Sequence, residues 1–410
     1  MKIEIDTVKG FQDFLPPESL KRKAIKEIIE KYFQLYGFLP VETPIVEFDE
    51  LMASDSLPSE GQDEAISDRF RLKDRAGRNL GLRYEFTFQL ARIFKRNPTM
   101  KLPFKRYQIG SVFRDEPVSS SRFREFTQCD ADIIGSSDLD SDVECLALVS
   151  DILKELNIEG NIEINNRLLM ESIIKSVEIS NTEGVMREID KLDKIGEDTT
   201  KANLRKYASA NQILTLFKLL DKSVEFFKEN AFDGASEIQS LIEKCKLYGI
   251  KITFNPYLAR GLSYYTGSVF EIKSSTDSSS IGGGGRYDKT VGKYLAQNIP
   301  AVGISFGLER ITALANIQLK SPIKTILVSL NQDKETIKIA KKLRNQNIPC
   351  LTTFGKLGKQ LEYANSQNIP SAIIIGEKET QKGKYTLKDM TSGSELLLTE
   401  KQLISKLSKY

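Results

Sequence analysis

Three stretches of this sequence set arginine among glycine, aromatic and acidic residues in a way that suits phosphate chemistry. Phe113–Gln128 carries Arg114, Arg122 and Arg124 around a polar loop, Pro117-Val-Ser-Ser-Ser. Leu258–Glu271 places Arg260 just ahead of a tyrosine pair, Tyr264 and Tyr265, and Val302–Arg310 is a Gly-rich run that ends in Glu309-Arg310. A guanidinium stays charged and its fork binds phosphate oxygens bidentately, which a lysine cannot match. Hydrogen-bonding and acidic residues stand close by in the chain: Glu85 and Thr87, Glu116, Gln128, and Asp132, which shares strand-face parity with Gln128. A four-glycine run, Gly282–Gly285, leads into Arg286-Tyr-Asp288 and permits close backbone approach to a ligand. The pattern describes a site for phosphates beside a small polar ligand. The chain has no histidine, so a Ser-His-Asp triad, a Cys-His pair and imidazole metal ligands are excluded. Catalysis must rest on carboxylates, cations, hydroxyls or a bound metal.

These residues need elements to hold them. Pro16-Pro17-Glu18-Ser19 opens a helix with apolar residues at Leu20, Ala24, Ile25, Ile28, Ile29, Tyr32, Phe33 and Tyr36, and Gly37 stands at its C-terminal end. The extended segment that follows, from Phe38 through Pro44, is confined by its prolines to a sheet edge or an interface. A hairpin is expected over Arg69–Tyr84, a helix from about Thr87, and a strand pair near 104–116 and 123–135. The helix Ser141–Leu156 follows, then strands near 251–256, 265–274 and 301–306 and a helix from Gly307. Roughly 175–248 is helical in pattern, rich in Lys, Glu and Leu, and reads as an inserted helical domain. From about 323 strands and helices alternate, which implies a small mixed sheet with parallel pairs.

A chain of 410 residues is too long for one ordinary core. Its four cysteines are scattered, with no Cys-x-x-Cys pair, which argues against a disulfide framework or zinc site and for a reducing cytoplasm. No apolar run reaches the length needed to cross a bilayer. Residues 331–410 hold 14 Lys and Arg against 8 Asp and Glu, on a chain whose net charge is only +3. A basic C-terminal module on a slightly acidic body suits a phosphate-backbone partner.

The three arginine blocks, in this order, resemble motif 2, the histidine-specific motif and motif 3 of histidyl-tRNA synthetases, a class IIa aminoacyl-tRNA synthetase family. The first helix and Pro44 resemble motif 1, and Gly284-Gly-Arg-Tyr-Asp288 resembles the family's block beneath the active site. The resemblance implies an α+β catalytic domain over 1–322, a class II antiparallel sheet flanked by helices, with a helical insertion at about 175–248. It further implies a C-terminal α/β anticodon-binding domain over 323–410. The activity implied is ATP- and Mg²⁺-dependent activation of L-histidine and its transfer to histidine tRNA, by a cytoplasmic homodimer with no membrane role.

By the same resemblance, Arg114 meets the α-phosphate, Glu116 and Arg122 serve ATP, and Arg310 lies against the adenine opposite Phe126. Arg260 bridges the amino acid carboxylate and the α-phosphate. Glu85, Thr87 and Gln128 hold the α-amino group, while Asp132, Tyr264 and Tyr265 read the imidazole. The chain departs from the family pattern at Ser263, where an Asp is usual beside Arg260. The competing expectation is a regulatory subunit of ATP phosphoribosyltransferase built on the same fold. Such chains typically lack the C-terminal domain and have eroded arginine motifs, whereas this chain keeps both.

Overall fold

The computed structural model describes residues 5–52, 68–119, 122–259, 264–276, 279–295, 297–319 and 321–408. Two compact units emerge, Met1–Ile317 and Gln318–Tyr410.

The first unit is organised by an eight-stranded sheet. Its strands, in chain order with those of a smaller sheet, are β1 (Leu39–Pro40), β2 (Val46–Phe48), β3 (Arg71–Lys73), β4 (Asn79–Leu82), β5 (Phe104–Phe113) and β6 (Glu125–Ile134). They continue with β7 (Gly160–Asn166), β8 (Ile252–Phe254), β9 (Ser268–Ser274), β10 (Ser280–Arg286) and β11 (Ala301–Gly307). The large sheet runs β1-β5-β6-β11-β10-β9-β7-β8, and β2, β4 and β3 form a separate three-stranded sheet. The six central strands pair antiparallel, while the outermost pairs, β1 with β5 and β7 with β8, are parallel. Pro40 sits on the edge strand β1, where its missing N–H costs the ladder nothing.

Helices cover one face of this sheet. The helix Glu18–Leu35 buries Arg22, Ile25, Ile29 and Phe33, and Gly37 then turns the chain at φ +80°. The helix Leu139–Glu155 buries Val143, Leu146, Val149 and Ile152 in the same core as Phe38, Ile133, Phe270, Ile304 and Phe306. These apolar positions recur every three or four residues along each helix, so one stripe faces the sheet.

The helical block begins earlier than its composition suggests. Its first helix is Arg167–Ser176, started by Asn166, whose side chain accepts the Leu168 N–H, and its last is Ala235–Leu247. Leu169, Ile173, Val185, Leu204, Leu216, Leu220 and Phe227 give it a core of its own.

The glycine run forms part of a strand. Gly282–Gly285 lie within β10, a central strand between β9 and β11, and β7 is a further strand not anticipated from periodicity. Glycine carries no side chain to alternate, so its strands leave no hydrophobic pattern to detect. Here the residue type answers a packing demand. A Cβ on Gly284 would lie 2.0 Å from the Gly303 carbonyl oxygen on the neighbouring strand.

In the second unit, β12 (Thr325–Ser329), β13 (Cys350–Phe354) and β14 (Ser371–Ile375) are parallel, and β15 (Lys384–Asp389) and β16 (Glu395–Thr399) extend the sheet antiparallel. The helix Asp333–Asn345 packs Ile339, Ala340 and Leu343 against Leu327, Ile373 and Ile375.

Substituting Gly284→Ala should force the β10 and β11 backbones apart and cost about 2–3 kcal/mol, the usual penalty for overpacking a close-packed interior. Urea unfolding of the full chain measures this; an unchanged midpoint would show that the sheet accommodates the methyl.

Candidate active site

A cleft of about 1100 Å³, its open mouth included, lies over the middle of the large sheet. The ladder explains its floor. Gln128, Asp130 and Asp132 project from one face of β6, and opposite them on β11 stand Gly307, Ser305 and Gly303. The far side of β6 pairs Gln108 with Asp130 and Arg106 with Asp132. Two of the three β11 positions lack side chains, which leaves room above the carboxylates.

At the inner end Arg106 is fully buried. Its Nη2 is 2.7 Å from Asp132 Oδ2 and donates to the Phe86 carbonyl at 3.1 Å, while its Nε and Nη1 find no hydrogen-bond acceptor among the described residues. Burial alone would weaken that charge, but Asp132, Tyr287, Asp130 and Glu85 more than offset it and hold the guanidinium firmly protonated. The Tyr287 hydroxyl donates to Asp132 Oδ1. Tyr264 packs between Tyr265 and Tyr287, at ring-centroid separations of 4.9 and 5.7 Å. Glu85 accepts the backbone N–H groups of Thr87 and Phe88, the latter at 2.7 Å, and burial raises its carboxyl above the usual range.

Asp130 is the titratable residue that sequence reasoning missed, although its parity with Gln128 and Asp132 was available. Burial pushes its carboxyl up to about 7; Arg106 and Ser305 oppose the shift, and Asp132 and Glu85 add to it. Gln128 Nε2 donates to Ser305 Oγ at 2.6 Å and to Asp130 Oδ1 at 3.3 Å, whereas Gln128 Oε1 is buried with no hydrogen-bond partner among the described residues.

The outer end is cationic and aromatic. Arg114 lies over the Tyr84 ring at 4.2 Å and the Phe126 ring at 5.0 Å, and Glu116 Oε1 is 3.9 Å from its Nη1. Arg122 Nε sits 3.1 Å from the other Glu116 oxygen. Arg310 donates to the Ser280 carbonyl. Its neighbour Glu309 accepts the Thr127 N–H with both oxygens at 3.1 Å and the Arg22 guanidinium at 2.8 Å, tying the first helix to β6. Phe126 therefore has Arg114 at its ring, and Arg310 reaches the cleft from the other strand end.

Glu85, Thr87, Arg114, Glu116, Arg122, Phe126, Gln128, Asp132, Tyr264, Tyr265 and Arg310 all line this one cleft, together with Asp130, Ser305 and Tyr287. Arg260 and Ser263 lie outside the described residues. Arg286, in the block after the glycines, pairs with the fully buried Asp142 and donates to the Ser136 and Asp138 carbonyls, so its role is to brace the sheet.

The Asp130 carboxyl gives a pH-dependent stability. Its proton is held more tightly in the folded chain (about 7) than at its ordinary value of 3.8. That stabilisation is therefore complete below about pH 4 and is lost as pH rises to 7, a swing on the order of 2–4 kcal/mol. Asp130→Asn cannot ionise, so its melting temperature should exceed that of the parent at pH 8, with the gap narrowing toward pH 5. Thermal melts across that range check this; a gap that does not change with pH would contradict it.

A family model described as Histidyl-tRNA synthetase matches residues 10–311, and one described as Anticodon binding domain matches 324–410. Histidine--tRNA ligase 1 of Bacillus cereus is 38% identical over 432 aligned positions covering all of both chains. The solved histidyl-tRNA synthetase of Nostoc sp. PCC 7120 superposes with a TM-score of 0.86 at 28% identity, again over both whole chains. An ATP phosphoribosyltransferase regulatory subunit/histidyl-tRNA synthetase from Bacillus halodurans shares the fold, with a TM-score of 0.76 at 21% identity over 91% of this chain and 99% of its own.

Proposed function

Since this chain belongs to the histidyl-tRNA synthetase family, we propose that the cleft over β6 and β11 carries out both steps of histidine--tRNA ligation. The protein is an aminoacyl-tRNA ligase: it activates L-histidine with ATP and passes the histidyl group to the 3′ end of histidine tRNA. The observation that carries the site assignment is the ordering of charge along β6. Arginines gather near Phe126, and carboxylates with an orphan amide oxygen lie toward Asp132.

In the first step a histidine carboxylate oxygen attacks the α-phosphorus of ATP, and the bond to the bridging oxygen breaks to release pyrophosphate. Both reactants are anions, so the site must supply positive charge and hold them in line. In this reading Arg114 serves the α-phosphate, Arg122 the outer phosphates and Arg310 the adenine face; Arg260, outside the described residues, is the cation that the family resemblance assigns to the carboxylate and the α-phosphate. Glu85, Thr87 and Gln128 receive the ammonium group, and Asp132, with Tyr264 and Tyr265, faces the imidazole. A pocket that hydrogen-bonds both polar ends rejects isosteres, because the wrong ligand leaves buried groups unpaired. Magnesium would be held at the outer end chiefly by the ATP phosphates, with Glu116, which Arg122 and Arg114 flank at 3.1 and 3.9 Å, as the hard oxygen donor nearest them. When bound, the ion neutralises phosphate charge. In the second step the terminal adenosine hydroxyl attacks the carbonyl carbon and AMP leaves.

The C-terminal unit, by its match to anticodon-binding domains and its excess of lysine, holds the distal part of the tRNA. A homodimer is supported by the exposed apolar side chains Leu39, Ile45, Val46 and Phe48 around Pro44. No helix among the described residues is long and apolar enough to cross a membrane, and the cytoplasm, where ATP and tRNA meet, is the working compartment. The regulatory-subunit reading is weaker, since the chain aligns end to end with a ligase and has the C-terminal domain.

Amino-acid-dependent pyrophosphate exchange is the direct test. Exchange should require L-histidine, and Arg114→Ala should slow it by about 10²–10³, as loss of one transition-state donor does. Exchange driven by threonine or proline in preference to histidine would refute the reading.

A further inference from the structure

Gln128 is 7% exposed and lines the cleft, and the two ends of its amide are not equivalent. Its nitrogen is engaged twice, by Ser305 Oγ and Asp130 Oδ1, while its oxygen has no donor among the described residues. A carboxamide can be turned end for end at almost no steric cost, so its hydrogen-bond partners decide which end it presents. Ionised Asp130, the form that prevails above about pH 7, accepts only. The Ser305 hydroxyl can donate to Asp130 while accepting from Gln128, so the three groups form a directed chain.

We propose that Asp130 and Ser305 are positioning residues that lock the Gln128 amide with its oxygen toward the bound amino acid, so that an ammonium group meets an acceptor and never the amide N–H. This deepens the reading that Gln128 meets the α-amino group, and it rests on that reading. The register supports it. Asp130 and Ser305 are directly opposed across β6 and β11, one step along from Gln128 on the same face, and neither position can swing away without leaving the ladder. The ionisable groups around Asp130 include Arg106, Asp132, Glu85, Tyr264 and Cys129, and Gln108 lies opposite on β5. Arg106 is already committed to Asp132, which leaves Asp130 to serve Gln128. The substitution Asp130→Asn would bring an N–H₂ to the same place and permit the reversed amide, which offers the ammonium a donor.

The test is steady-state pyrophosphate exchange at pH 8, where Asp130 is ionised, with KM determined separately for histidine and ATP. Asp130→Asn should raise the histidine KM about tenfold and leave the ATP KM within twofold. Ser305→Ala should raise the histidine KM about threefold. The double variant Gln128→Glu, Asp130→Asn should recover most of the histidine KM lost in Asp130→Asn, because both ends of a carboxylate are oxygens and the amide introduced at position 130 can donate to one. A purely structural role would move both KM values and would show no recovery. An unchanged histidine KM in Asp130→Asn, an equal rise in both KM values, or no recovery in the double variant overturns the proposal. So does an effect of Asp130→Asn with none from Ser305→Ala, which would mean Asp130 meets the ligand itself. Gln128→Ala separates the two readings. If it leaves the histidine KM unchanged, the amino-group assignment falls and the proposal with it; if it raises that KM while Asp130→Asn does not, only the proposal falls.

Discussion

A carboxylate can lie flat across a β-sheet only where the neighbouring strand has no side chain, and the site depends on that constraint. A Cβ on Gly303 would meet Asp132 Oδ1 at 2.0 Å, and one on Gly284 would meet the Gly303 backbone at the same distance. Bare backbone on β10 and β11 therefore does two things. It lets the strands close tightly, and it gives Asp132 a shelf on which its oxygens reach Arg106 on one side and Tyr287 on the other. A side chain at Gly303 would displace the carboxylate and one at Gly284 would part the strands, so bare backbone serves both the pocket's shape and the sheet's continuity.

Charge follows from the shelf. Glu85, Asp130 and Asp132 are 4–5% exposed, and Arg106 is the buried guanidinium among them. The inner pocket so keeps an excess of acceptors, which a ligand bearing an ammonium and an imidazole complements. The outer pocket reverses the sign with Arg114, Arg122 and Arg310. On the proposed reading, this gradient orients a molecule that is cationic at one end and reacts through its carboxylate at the other. No histidine is needed for this, since the reaction asks for positioning and anion stabilisation rather than an imidazole base. Glu309 adds rigidity: by joining Arg22 to Thr127 it ties the first helix to the end of β6 that carries Phe126.

Much of this was legible in the sequence, and the illegible parts share a physical explanation. The first helix, the β5–β6 pair and the helix Asp333–Asn345 announce themselves by apolar periodicity, and the arginine blocks by residue type. The strand β10 was hidden because glycine leaves no alternation, and Gly160-Asn-Ile-Glu-Ile-Asn-Asn166 because its ends are polar although Ile162 and Ile164 are buried. Arg106 was indistinguishable from a surface cation in Phe104-Lys-Arg-Tyr107, and only the fold shows that β5 turns it inward. Asp130 obeyed the same two-residue spacing as Asp132 but carried no motif to single it out. The boundary of the helical block moved to Arg167 because the Asn166 cap, a single hydrogen bond to the Leu168 N–H, outweighs composition in deciding where a helix begins.

The shelf can be tested apart from the chemistry by calorimetric titration of Gly303→Ala with L-histidine and, separately, with ATP. The added methyl should weaken histidine binding at least tenfold while ATP binding and the cooperative melt persist, because it intrudes on Asp132 and leaves the arginine end untouched. Histidine affinity equal to that of the parent chain, in a folded variant, would contradict the account.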